Sequence, residues 1–254
     1  MNPILRLVIR DFRVMNRSLL VVQFMLPFFL LFVAGFAYKT LIPPSNLGYS
    51  LYSYQQFLAV GLVAQTAMTG SLLSGTLLWT DKRHGMFEQI LVGPFTKFQY
   101  VVSKVVSSAL VGLSGAALVF IISTLFFFNN IRPTLLGSLI GLYSVLVGSL
   151  LFGAIAILIA SNVKSLEAFE GILNLLLILL TFVSSVLYPI VAAPPLLRYI
   201  ILINPLTYMS DMLRYGIMDI AYSNIYVEAI LLAVEGVTAI ALAIIFLYKA
   251  ASSI

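Results

Sequence analysis

The 254 residues predict an all-α integral membrane protein. Its expected plan is six transmembrane helices, an N-terminal amphipathic interfacial helix, a short cytoplasmic helix and an outer re-entrant Pro-rich segment. Three observations carry this. Apolar residues make up 61% of the chain and charged ones only 9%, against about 25% charged in a soluble domain; mean hydropathy is +1.09. A soluble fold of this length cannot bury that much apolar surface. The apolar stretches are long and continuous, not alternating, which selects helices over a β-barrel. The composition also excludes a disordered chain, a coiled coil and a disulfide scaffold.

A spanning helix needs about 20 mostly apolar residues, and six stretches qualify: Leu19–Tyr38, Tyr54–Trp79, Val105–Phe128, Thr134–Ala160, Gly171–Tyr188 and Tyr226–Tyr248. Ahead of them, Arg6, Arg10, Arg13 and Arg17 recur at helical spacing, with Leu5, Val8, Ile9 and Phe12 on the other side. Residues 1–18 therefore read as a helix lying in the interface, its arginines among anionic lipid head groups. It serves either as an orientation signal or as an elbow that supports the spans or borders a partner. The first stretch exceeds the apolar core of a signal peptide and reads as an uncleaved span.

Six spans put both termini on one side. Arg6, Arg10, Arg13, Arg17, Lys82, Arg83, Lys97, Lys104, Lys164 and Lys249 share that side, ten in all; Lys39, Arg132, Arg198 and Arg214, four in all, fall on the other. The positive-inside rule makes the first side cytoplasmic. The whole chain, 1–254, then reads as one transmembrane domain of the cell membrane. Residues 80–100 form the main cytoplasmic loop and 189–225 the outer segment.

Several chemistries are absent. With no cysteine and only His84, thiolate or histidine metal sites, haem pairs and cysteine nucleophiles are excluded. No phosphate loop, HExxH or GxSxG motif occurs, so the chain reads as no enzyme, with no catalytic, cofactor or metal site. The charge excess is read as orientation, with no nucleic-acid partner. His84, beside Lys82 and Arg83, reads as a solvated loop residue. Three readings of Glu235 stay open: it lines a pathway, pairs with another helix, or lies near the outer interface. Gln65 and Asn174 fit hydrogen-bond glue between helices. In the fourth stretch Gly137, Gly141, Ser144, Gly148, Ser149 and Gly153 repeat a small-xxx-small spacing. Such residues let helices approach closely, within one bundle or against another subunit, and a leucine at Gly141 is expected to force two helices apart.

Two connections are unusual. After the second stretch come Gly85, then Met86, Phe87, Glu88, Ile90, Leu91 and Val92, then Gly93-Pro94. This predicts a two-turn helix, Glu88 suiting its N-terminal dipole and Gly-Pro ending it. An apolar knob between charged flanks fits a docking element, or a helix resting on the membrane or on its own bundle. The outer connection is apolar but broken by Pro189, Pro194, Pro195 and Pro205, so it predicts short helices that dip into the outer leaflet.

These two connections carry a resemblance to the membrane subunit of type-2 ABC exporters. Arg83-His84-Gly85-Met86-Phe87-Glu88-Gln89-Ile90-Leu91 with Pro94 resembles that family's loop after its second span. Tyr188-Pro189 and Asn204-Pro205-Leu206-Thr207-Tyr208, with Asp211 and Arg214, resemble its outer "NPLTY…D..R" segment. Two residues depart from the pattern: Arg83 replaces an acidic residue, for which Asp81 is the candidate stand-in, and Met86 replaces a threonine. The resemblance implies an ATP-driven exporter built from two such permease subunits, identical or not, and two separate ABC ATPase subunits that bind the ATP and magnesium. It implies that Gly85, Met86, Phe87, Glu88, Ile90 and Leu91 couple to the ATPase. It also implies that Tyr188, Pro189, Asn204, Pro205, Tyr208, Asp211 and Arg214 gate the outer end. An ion-coupled transporter and a non-transporting membrane scaffold are the alternatives.

Overall fold

The computed structural model describes residues 3–15, 25–39, 53–73, 75–86, 89–90, 93, 95–128 and 133–252. Its elements are helices: α1 (Pro3–Val14), α2 (Met25–Ala37), α3 (Tyr54–Leu73), α4 (Gly75–Arg83), α5 (Lys97–Phe126), α6 (Leu135–Asn162), α7 (Leu166–Phe182), α8 (Pro195–Leu202), α9 (Pro205–Met218) and α10 (Ile225–Ser252). No strand occurs among the described residues. Among the described residues four helices are long and apolar enough to cross a membrane: Tyr54–Arg83, which joins α3 to α4, then α5, α6, and Ile225–Leu247 of α10.

The other two expected spans differ. Residues 16–24 lie outside the described set, and α2 is a shorter apolar helix with a π-helical turn at Leu30–Ala34. The expected Gly171–Tyr188 span starts earlier, at Leu166, and stops at Phe182. Its 17 residues rise only about 25 Å, short of the roughly 30 Å hydrocarbon core. The start is set by Ser165, whose side chain accepts from Ala168 N, a cap that a hydropathy scan does not register. The third span also begins earlier, at Lys97, because Thr96 and Gln99 form a reciprocal capping box there.

The core follows from side-chain size. In the Tyr54–Arg83 helix 88% of the apolar window is buried, against 28% in α10, so α3 is the central post and α10 lines the rim. Small residues let neighbours reach that post. A Cβ on Gly112 of α5 would stand 2.6 Å from the Ala67 carbonyl of α3. Phe32 of α2 packs edge-on against Phe126 at 5.4 Å. The outward faces of α5, α6, α7 and α10 carry exposed Leu, Ile, Val and Phe, as a hydrocarbon environment requires.

Helix α1, expected to lie in the interface, is less one-sided than its arginines predict. Leu7, Val8 and Asp11 of α1 are buried. Arg6 and Arg13 face outward with Leu5 and Phe12, while Arg10 turns inward onto Asp81. Arg17 lies outside the described residues.

Candidate functional site

Two polar clusters occupy opposite ends of the bundle. Asp81 and Phe57, one in each, lie 24 positions apart on the Tyr54–Arg83 helix, or about 36 Å at 1.5 Å per residue.

At the end that carries α1, four charges meet with little water. Lys104 Nζ lies 2.6 Å from Asp11 Oδ1 and 2.8 Å from Asp81 Oδ2. Arg10 donates Nη1 to Asp81 Oδ2 at 3.0 Å, Tyr100 donates its hydroxyl to the same oxygen at 2.8 Å, and Ser107 Oγ donates to Asp11 Oδ2 at 2.9 Å. Asp11, Asp81 and Lys104 are each at most 4% exposed. Two buried carboxylates against two cations leave no net charge, which is what makes their burial tolerable. The hydrogen bond with Asp81 raises the Arg10 guanidinium above its ordinary pKa. The cluster ties α1, α4 and α5 together. Asp81, the candidate stand-in for the loop's acidic residue, faces this cluster and not the loop.

The connection beyond it starts at Gly85, whose φ of +67° is the left-handed region that glycine alone adopts freely. Gln89 N donates to Gly85 O at 3.2 Å, and Gly93 N donates to Gln89 O at 3.2 Å. Met86 is exposed. Ile90 is 9% exposed and packs into the bundle core, so it does not present itself outward as its place in an apolar knob suggests. Phe87, Glu88, Leu91 and Pro94 lie outside the described residues. His84 is exposed, with Nδ1 2.9 Å from Thr80 O. Lys82 Nζ reaches the carbonyls of Ala160 and Ser161 at 3.3 and 3.0 Å, satisfying the last turn of α6.

At the far end α7 gives way to a non-helical stretch, 183–189, in which Ser184, Ser185 and Val186 are fully buried. A break inside a bundle frees backbone groups that need partners. Asn204 supplies several. Its Nδ2 donates to Leu180 O at 2.9 Å and Val183 O at 2.6 Å, and its Oδ1 accepts from Leu206 N at 2.9 Å. One side chain thus closes α7 and opens α9, where Pro205 occupies the first turn without needing a donor. Thr207 Oγ1 accepts from Ser185 N at 3.3 Å.

Arg214, wholly buried, holds the rest. Nη1 donates to Asp211 Oδ1 at 2.9 Å and Ser185 Oγ at 3.1 Å; Nη2 donates to Ser185 O at 2.8 Å and Val186 O at 3.3 Å. Its guanidinium carbon lies 3.7 Å from the Phe57 ring centroid, a cation–π stack. Gly61 makes the room: a Cβ there would stand 2.5 Å from Val186 O. Tyr188 donates its hydroxyl to Phe182 O at 2.5 Å, Pro189 precedes the 3₁₀ turn Ile190–Ala192, and Tyr208 is buried. Asn204, Asp211 and Arg214 thus meet around the break, and Tyr188 braces it through Phe182. Arg214, which the sequence reading counted among the four basic residues of the less positive side, is neutralised in place by Asp211. Ser185, Phe57 and Gly61, together with Asp11 and Tyr100, escaped the sequence reading, which quoted Thr207 within the motif and counted Lys104 among the charges without giving either a partner. Asp11 and Lys104 stand 93 positions apart, so no local spacing signals their pairing.

Of the small residues, Gly137 and Gly216 oppose each other across α6 and α9. A Cβ on Gly137 would stand 2.5 Å from Gly216 O, and one on Gly216 2.3 Å from Gly137 O. At Gly148 the nearest atoms belong to the flexible Met209 side chain. At Gly141 the nearest is Leu213 Cδ2 at 3.4 Å, beside an apolar pocket of about 280 Å³ between α5, α6 and α9. Gly141→Ala is therefore expected to leave thermal stability unchanged or to raise it by up to about 1 kcal/mol through helix propensity. A melting temperature lowered by several degrees would contradict this. Glu235 is half-buried, and Gln65 donates to Thr181 Oγ1 at 3.4 Å.

Several helices long and apolar enough to span, a broken helix held by buried charge and an N-terminal helix keyed into the bundle define a multi-pass helical membrane protein. Residues 3–218 match the family model for ABC-2 type transporters, and the chain belongs to that family. A protein of Porphyra purpurea named "Putative transport permease ycf38" is 30% identical over 187 residues, covering 71% of this chain and 60% of the relative. The protein of that name from Cyanophora paradoxa is 29% identical over 168 residues, covering 64% and 56%. The chain spans about three fifths of the length of these relatives.

Proposed function

We propose that the chain is the permease subunit of an ATP-driven exporter in the cell membrane. Two such subunits enclose the pathway, and two separate ABC ATPase chains, which bind ATP and magnesium, attach to the α1 end. That end is cytoplasmic and carries both termini. The backbone crosses six times, α2 and α7 serving as the short first and fifth crossings. The 84–95 connection takes up ATPase motion, and the far-end cluster around Arg214 gates the outer opening. Family membership is the observation that carries this reading. It is supported by an apolar, partly exposed turn opening at Gly85 directly beside a charge cluster that faces inward.

The test is retention of the ATPase by purified variants. Phe87→Ala is expected to fold and reach the membrane yet hold the ATPase about thirtyfold more weakly, the cost of losing a central aromatic anchor of about 2 kcal/mol. Glu88→Gln is expected to weaken retention less, and Lys97→Ala, beyond the Gly-Pro stop, to leave it unchanged. Wild-type retention and coupling by both Phe87→Ala and Glu88→Gln would remove the connection from this role.

A further inference from the structure

We propose that the recess between α5, α6 and α9 is a binding site for one acyl chain of a membrane lipid, drawn from the leaflet at the Arg214 end of the bundle. The proposal goes beyond the permease reading and needs only a chain embedded in a bilayer. The recess measures about 280 Å³, nearly twice the ~150 Å³ of an engineered apolar cavity that takes up benzene. Its floor includes Val63, Val145, Leu213 and Ile217, all buried, and its rim includes Ala117 and Leu142, both exposed. The mouth opens beside the outward-facing Leu118 of α5 and Leu139 of α6, on the surface that lipid covers.

Two glycines build the recess. Gly137 brings α6 against the backbone of α9, and Gly141, one turn on, omits the side chain that would fill the gap: a Cβ there meets only Leu213 Cδ2, at 3.4 Å. The depth fits one leaflet. Helix α6 starts at Leu135, at the Arg214 end, since its last turn meets Lys82 at the other. The lining runs along α6 from Pro133 to Val145. From Leu135 to Val145 the helix rises about 15 Å, half of the roughly 30 Å hydrocarbon core.

The lining narrows the occupant. Among the described lining residues Ser138 alone has a polar side chain, and its Oγ donates to Thr134 O at 3.0 Å. A buried water needs about two to four polar partners, which this wall does not offer. A charged or sugar-bearing ligand would lose its hydration uncompensated. A methylene chain incurs neither cost and gains dispersion contacts along a wall of close-packed side chains. No residue of α7 or of the 183–189 break lines the recess, so the site is separate from the far-end cluster. It nevertheless backs the helix that carries that cluster, because Leu213 adjoins Arg214 on α9.

The test uses the whole chain in nanodiscs of a phosphatidylcholine whose acyl chain carries a diazirine near its middle. After illumination, the cross-linked residues are mapped by peptide mass. The wild-type chain is expected to carry label on Leu213 or Ile217, which are 5% and 8% exposed and lie out of reach of lipid that merely coats the surface. Val237 of α10, at 68% exposure, reports that coat. Ala117→Trp sets an indole across the mouth and is expected to abolish label between 213 and 217 while Val237 is labelled as before. Leu142→Trp, on the opposite rim, repeats the test where the first variant does not accumulate. Wild-type label confined to exposed residues overturns the proposal, and so does label between 213 and 217 that survives both substitutions. A second copy of the chain is the rival occupant. Because the protein has no cysteine, oxidising Ala117→Cys in native membranes reads that rival directly. The proposal expects monomers on a denaturing gel, and a disulfide-linked dimer overturns it.

Discussion

Replacing Arg214 with methionine is expected to cost about 3–5 kcal/mol of stability, the cost of removing one partner from a buried ion pair. Three losses combine. Asp211 keeps a charge in a site with no exposure. The Ser185 and Val186 carbonyls lose the donor that satisfies them inside the break. The Phe57 ring loses its stacked cation. A second variant separates these losses. Asp211→Asn with Arg214→Met removes both charges, and replacing a buried pair as a whole is often close to neutral. Because the carbonyls would still lack a donor, the double variant is expected to recover only part of the loss. Thermal melting in mild detergent reads both. Full recovery by the double variant would show that the pair, and not the broken backbone, is what Arg214 serves. An unchanged single variant would contradict the far-end account altogether.

Gly137→Leu is expected to be comparably severe, at about 3 kcal/mol, the upper end of ordinary overpacking costs. Its first added carbon would meet the Gly216 carbonyl at 2.5 Å, and backbone cannot swing aside as a side chain can. Separating α6 from α9 would also shift the helix that carries Asp211 and Arg214. The far-end cluster should therefore loosen, with new protease cleavage between 183 and 203. The same melting experiment, run beside Gly141→Ala, gives the contrast. If Gly137→Leu melts like wild type, the two helices are not in backbone contact. If Gly141→Ala is the more damaging, the roles of the two glycines are reversed.

Hydropathy alone located α3 with α4, α5, α6 and α10, because a hydrocarbon solvent forces long apolar runs and little else satisfies them. It could not place the end of α7. Residues 183–188 remain apolar enough to extend the run, and the break depends on Asn204, whose side chain reaches back to Leu180 and Val183. The outer motif marked Asn204, Asp211 and Arg214 as a set, yet spacing does not reveal that all three serve one break. The α1 cluster was less legible still. Arg10 falls on the arginine face of an amphipathic helix, and only its pairing with Asp81, 71 positions away, distinguishes it from Arg6 and Arg13. Small-residue spacing marked Gly137 and Gly141 alike; what separates them is the neighbour on α9, glycine in one case and leucine in the other. Local pattern fixes where helices run, whereas buried polar partners are settled by the packing of elements distant in sequence.

The account's central claim is that this chain forms a pathway that separate ATPase chains drive. Expressing it together with an ABC ATPase chain that carries a phosphate loop, and weighing the complex purified in mild detergent, tests this most directly. The expected mass is that of two copies of the 27.9 kDa chain with two ATPase chains, falling to the permease alone when Phe87 is replaced by alanine. A wild-type chain that purifies without any ATPase, from cells that make both, would contradict the account.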